Sequence, residues 1–319
     1  MNHHQQAHHL NVAHLGLLAL VVGWAALTTH WSMAPLPVMV GGLVLTVAWL
    51  MAWERWQPYR GDWLPSAADL RRDVSFLGAN AVADGLADGL VWAAAVAAAQ
   101  AWPGRTGPAQ DWPLAWGVLV ALLLSELGDY ALHRASHRGG WLWRLHRVHH
   151  RQRAVNASNN VTTHPVNVLL RKLVRLAPLW PLGFSAEALL WAGLLAQAQS
   201  FAVHANTAGR MGWLNYVIGS AELHRWHHSV RPEQALNFGS VLPLWDQVFG
   251  SFRYRPAEAV DGVGLADDGA TAQPPLAARP TAPPPRAARA PATHPAHTAP
   301  GLAARQIRAR CAVCRCRPV

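Results

Sequence analysis

Ten of the 18 histidines in this sequence fall between residues 133 and 228, and their spacing is regular. His133-Arg-Ala-Ser-His137 is an HxxxH pair. His146-Arg-Val-His149-His150 and His224-Arg-Trp-His227-His228 are two HxxHH triplets. His164 precedes Pro165, and His204 stands two residues before Asn206. On a helix, residues at i, i+3 and i+4 share one face, so each box projects two or three imidazoles to one side. The imidazoles of the three boxes are too many for one tetrahedral ion and suit two ions of higher coordination number.

Imidazole suits zinc, copper, iron and nickel. Zinc hydrolases typically pair three ligands with a general base, as in HExxH, and no HExxH occurs here. All three cysteines, Cys311, Cys314 and Cys316, lie far from the boxes, which argues against an iron–sulfur cluster. Soluble di-iron bundles use carboxylates and ExxH pairs. A histidine-only version keeps that logic: two irons activate O2 against an unactivated C–H bond, in a dry site that a lipid chain can enter. The expected ligands are His133, His137, His146, His149, His150, His204, His224, His227 and His228, with His164 as a ligand or as support for one. Asp129, one helical turn before His133, and Glu222, two residues before His224, are expected to accept the outer N–H of a ligating imidazole. The alternative for both is a helix-terminal or interfacial charge.

The elements that must position these groups are apolar. Hydrophobic residues make up 51% of the chain and charged residues 14%, on the membrane side of ordinary usage. Four stretches, Leu10–Thr28, Leu36–Trp53, Val74–Trp102 and Trp112–Leu132, are each long enough to cross a hydrocarbon core of ~30 Å as a helix. The first also has the length of a signal peptide, but no small-residue cleavage pattern follows it clearly. Asp84 and Asp88 sit one turn apart in the third stretch. Acids there mark either function or a bundle face near its wet end. Leu169–Phe184, with Arg171, Lys172 and Arg175, reads as an interfacial or re-entrant helix. Ala186–Val203 reads as its partner in the bilayer or as a buried helix.

The formal net charge of +10 is carried by arginine, with Lys172 the only lysine. Arg55, Arg60, Arg71 and Arg72 lie between the second and third stretches. Arg134, Arg138, Arg144, Arg147, Arg151 and Arg153 follow the fourth. Positive loops mark the cytoplasmic side, which places the boxes and both termini there. The charge is therefore a topology signal, with anionic membrane lipid as a secondary partner and no nucleic acid. Residues 1–9 read as a polar His-rich end, 10–132 as transmembrane helices, 133–255 as the catalytic region and 256–319 as a disordered Pro/Ala/Arg-rich tail. The tail's Cys-x-x-Cys-x-Cys run has no partner ligands nearby in sequence.

The ordered set HxxxH, HxxHH, HP, HxN, HxxHH resembles the fatty acid hydroxylase superfamily, which includes sterol desaturases. Asp129-Tyr130-x-x-His133-Arg134, Glu222 through His228, Asn237-Phe238-Gly239 and Trp245-Asp246-x-x-Phe249-Gly250 are similar to it as well. The likeness covers roughly residues 24–254. It implies an all-α polytopic membrane bundle of about four spanning helices, capped by a cytoplasmic histidine-rich di-metal region. It implies two iron ions, O2 and a lipid substrate, hydroxylated or desaturated. No HPGG haem motif and no GxGxxG after a strand occurs, so electrons are expected from an external NAD(P)H-linked donor: a reductase, ferredoxin or cytochrome. The rival readings are a di-zinc membrane hydrolase and a non-enzymatic metal-binding or transport protein.

Overall fold

The computed structural model of the protein describes residues 10–101, 107–256 and 258–265, all within the unit Met1–Arg279. The N-terminal His3, His4, His8 and His9, the expected tail from 266 onward and its three cysteines lie outside the described residues. The described helices are α1 (Val12–His30), α2 (Pro35–Trp56), α3 (Ala67–Ala101), α4 (Leu114–Ser136), α5 (Gly140–His150), α6 (Pro165–Leu176), α7 (Ala186–His204), α8 (Ala221–His227) and α9 (Leu244–Val248). Among the described residues no strand forms beyond isolated bridges, so the all-α expectation holds.

Local chemistry starts these helices. The Asn11 side chain accepts from His14 N at 3.1 Å to cap α1. Ser185 caps α7 through Ala188 N and Ser220 caps α8 through Leu223 N, while Pro35 and Pro165 open α2 and α6. α1 to α4 are each long and apolar enough to cross a membrane. At 1.5 Å per residue, the 35 residues of α3 exceed a ~30 Å core. Its first turns carry Asp69, Arg71, Arg72 and Asp73.

α7 settles the two readings of its segment: it is a buried helix. Alanines 188, 192, 196, 198 and 202 are buried with Leu194, Phe201 and Val203. They pack on α1, α2 and α4. α6 lies against α3 and α4. Its approach to α4 is close at Gly128, where an added Cβ would stand 2.0 Å from the Val174 carbonyl oxygen. One residue on, Asp129 is gripped by the Arg171 fork at 2.7 and 2.6 Å. The sole lysine, Lys172, pairs with Asp88 at 2.8 Å and lies 3.6 Å from Asp84, so the acids of α3 serve to hold α6.

Candidate metal centre

All eight imidazoles of the boxes are buried, and so is His204; the nine gather. His133, His137, His146, His150 and His227 form one nest; His149, His204, His224 and His228 form another. Within each nest the ligand atoms lie within 4.8 Å of one another. Helix geometry explains the partition. Residues i and i+4 diverge by only about 40° around the axis, whereas i+3 falls on the other side of i. In α5, His146 and His150 therefore enter the first nest and His149 the second. In α8 the assignment is reversed: His224 and His228 enter the second nest and His227 the first. α4 adds its own i, i+4 pair to the first nest, and α7 adds its last residue, His204, to the second.

Four of the outer ring nitrogens are held. His133 Nδ1 contacts the Phe238 carbonyl at 2.6 Å and His227 Nδ1 the Leu236 carbonyl at 3.1 Å. A carbonyl only accepts, so both rings carry their proton on Nδ1 and leave Nε2 bare. His204 Nδ1 lies 3.1 Å from Asn159 Oδ1. The Asn159 amide nitrogen donates to the Ala154 carbonyl, which makes Oδ1 the acceptor and fixes His204 in the same tautomer. His149 Nδ1 meets Thr163 Oγ1 at 3.3 Å.

These rings are neutral. Burial, and the neighbouring imidazoles, push His146, His149, His150, His224, His227 and His228 well below their usual value of 6.5. Burial takes His204 to about 3. The bare Nε2 atoms of His133, His204 and His227 therefore face the other imidazoles in a dry space. Nε2–Nε2 separations are 3.1 Å for His146–His150, His150–His227, His149–His204 and His224–His228. His133 Nε2 is buried with no hydrogen-bond partner at all. Such converging lone pairs are costly unless a cation sits between them. Two nitrogens ~2.1 Å from one ion and roughly at right angles are about 3.0 Å apart, so the set fits a metal ion in each nest.

Two loops supply the outer contacts, and buried acids fix both. The 236–241 loop presents the Leu236 and Phe238 carbonyls. Asp246 of α9 accepts from Phe238 N at 2.8 Å and Gly239 N at 2.7 Å. Glu126 of α4 accepts from Ser240 N at 2.6 Å and Val241 N at 2.8 Å. Asn237, at φ 63, closes the loop through the Leu223 and Arg253 carbonyls. The 154–163 segment presents Asn159 and Thr163. Asp73 of α3 accepts from Ser158 Oγ at 2.8 Å and Thr162 Oγ1 at 2.9 Å. Glu54 of α2 accepts from both Ala157 N and Asn206 N at 2.7 Å.

Three expectations are corrected. Asp129 does not support an imidazole; Arg171 occupies its carboxylate, and His133 leans on a backbone carbonyl instead. Glu222 accepts from Met211 N at 2.6 Å and Asn215 Nδ2 at 2.8 Å, so it steadies the approach to α8. His164 caps α6 by accepting from Val166 N at 3.2 Å and joins neither nest. The sequence reading missed Glu54, Asp73, Glu126, Asn159 and Thr163. The available signals were carboxylates at the ends of apolar stretches and an Asn-rich run between two boxes.

Residues 118–251 match the family described as fatty acid hydroxylase, a range that contains every nest residue. The chain is 29% identical over 232 residues to the ornithine lipid hydroxylase OlsE of Rhizobium tropici, covering 69% of this chain and 68% of that protein. It is 26% identical over 163 residues to the alkylglycerol monooxygenase of Homo sapiens, covering 48% and 34%. It is 27% identical over 139 residues to methylsterol monooxygenase 1-1 of Arabidopsis thaliana, covering 42% and 46%. The chain thus spans about two thirds of the first relative and less than half of the other two. No solved structure matches.

Proposed function

Residues 118–251 of this chain are a fatty acid hydroxylase domain, and from that premise we propose an integral-membrane, O2-dependent oxidoreductase that hydroxylates a lipid at two histidine-held irons. The observation that carries this reading is the division of nine buried, inward-facing imidazoles into a nest of five and a nest of four. The relatives' names support monooxygenation of a lipid over desaturation. Ornithine lipid, named for the relative aligned over the longest stretch quoted, is the first substrate class to test.

Bound irons would supply the redox chemistry: O2 and two external electrons, with two protons, insert one oxygen atom into a C–H bond and release the other as water. The chain's own residues do the rest. Burial keeps the rings unprotonated, so their lone pairs are available at neutral pH. The Phe238, Leu236 and Asn159 oxygens fix ring orientation and tautomer. The apolar helices α1 to α4 deliver a lipid substrate from the bilayer rather than from water. The arginines that follow α4 support a cytoplasmic location for the nests, where a soluble or peripheral electron-transfer protein fed by NAD(P)H would reach them.

Iron analysis of the purified protein, combined with lipid mass spectrometry of cells with and without the gene, tests this reading. We expect two irons per chain and a lipid heavier by one oxygen atom. Zinc in place of iron, with no oxygenated lipid, would sink the oxidoreductase in favour of a hydrolase. Metal movement across the membrane without lipid change would point to transport.

A further inference from the structure

α6 is an amphipathic helix whose single fully buried residue is an asparagine. Asn167 is 1% exposed, and neither its Oδ1 nor its Nδ2 has a hydrogen-bond partner. A buried carboxamide with both ends unsatisfied carries an uncompensated desolvation cost. Native structures seldom leave one without a reason.

Its position suggests the reason. α4 and α6 run antiparallel: Gly128 abuts Val174, and Asp129 grips Arg171. One turn further along each helix brings His133 of the five-membered nest level with Asn167. Further in the same direction, two residues before α6 begins, Thr163 touches His149 of the four-membered nest. The unpaired amide therefore sits at the level of both nests, on the helix that flanks them. By this register its neighbours are His133, whose Nε2 has no hydrogen-bond partner, and Arg171, which Asp129 already occupies. An amide offers both a donor and an acceptor, which is the complement of a hydroxyl group.

We propose that Asn167 is the polar contact for the oxygenated carbon of the lipid: its amide binds the newly made hydroxyl of the product, and a water molecule before turnover. This rests on the hydroxylase reading and adds a product-binding residue to it. An alkyl chain without a hydroxyl gains nothing from the amide. The product is therefore held more tightly than the substrate at this point, and the amide orients the carbon that carries oxygen. A hydrogen bond of this kind, made in a dry site, corresponds to about a tenfold preference.

The test uses purified, metal-containing protein held under nitrogen without reductant, so that no turnover occurs. Wild type, Asn167→Leu and Asn167→Ala are equilibrated with a lipid extract from cells expressing the wild-type protein, and bound lipids are measured by mass spectrometry. For wild type we expect the ratio of oxygenated to parent lipid to exceed that of the extract by about tenfold. In Asn167→Leu the ratio returns to that of the extract, while total bound lipid and iron content stay unchanged. Because Leu removes two unsatisfied polar atoms, its melting temperature should not fall. The Ala variant serves if Leu does not fit. A variant that retains the wild-type ratio overturns the proposal. So does an unselective wild type, since an amide that binds the hydroxyl must discriminate. An extract with no oxygenated lipid overturns the hydroxylase reading, and the proposal with it.

Discussion

The two nests are built from the same kind of ligand but held by different means. The five-membered nest leans on backbone carbonyls, Phe238 and Leu236, in a loop clamped by Glu126 and Asp246. The four-membered nest leans on side chains, Asn159 and Thr163. A carbonyl contact survives most point mutations, whereas a side-chain contact can be deleted alone. The first nest is thus fixed by the fold and the second is tunable. It is also one ligand shorter, which leaves more room for exogenous ligands.

The largest expected contrast comes from the ligands themselves. His228→Ala leaves three imidazoles in the smaller nest and His227→Ala leaves four in the larger. Both should abolish lipid oxidation. Metal content should fall to one ion per chain in the first variant and stay nearer two in the second. Equal losses would show that the nests do not bind independently.

Acid should act on both nests at once. In the unfolded chain these imidazoles take up protons near 6.5, whereas in the fold they resist, His204 down to about 3. Below 6.5 the unfolded state binds more protons than the native one, so the metal-free protein loses stability as pH falls. The loss approaches about 1.4 kcal/mol per pH unit for each such ring. Chemical denaturation across that window checks the sign; a flat profile would mean that the rings are solvated.

Clamp removal should weaken the first nest through stability. Asp246→Ala strips acceptors from Phe238 N, Gly239 N and Ser251 Oγ. We expect a loss of about 3 kcal/mol in unfolding free energy, with reduced metal in the larger nest. The smallest effect belongs to Asn159→Ala and Thr163→Val. Metal affinity at the four-membered nest should drop about 10- to 100-fold with little change at the other. Competitive chelation distinguishes the two classes of site.

Much of this centre was legible in the sequence, because imidazoles at helical spacing can only share a face. The boxes named eight of the nine nest residues and the HxN pattern the ninth, His204, and the apolar stretches named the four long helices to within a few residues at most ends. Illegible were the contacts made across long sequence separations. Asp129 stood at the right spacing to serve His133, but spacing along one helix says nothing about Arg171 on another. Likewise, Glu54 reads as a charge at the end of an apolar run. Its partners, Ala157 and Asn206, are backbone groups with no signature of their own. Which triplet member enters which nest depends on how α5 and α8 face each other, and that is a tertiary fact.

The separation of those ligands along the chain has a consequence for biosynthesis. The larger nest draws on residues 133 to 227 and the smaller on 149 to 228. During synthesis, all four apolar helices leave the ribosome long before either set is complete. The apolar helices must therefore be inserted and held while the smaller nest still waits for half its rings. The smaller nest can capture iron only at the end, so a chain arrested before His224, with His149 and His204 alone, should reside in the bilayer yet hold no ion at that site.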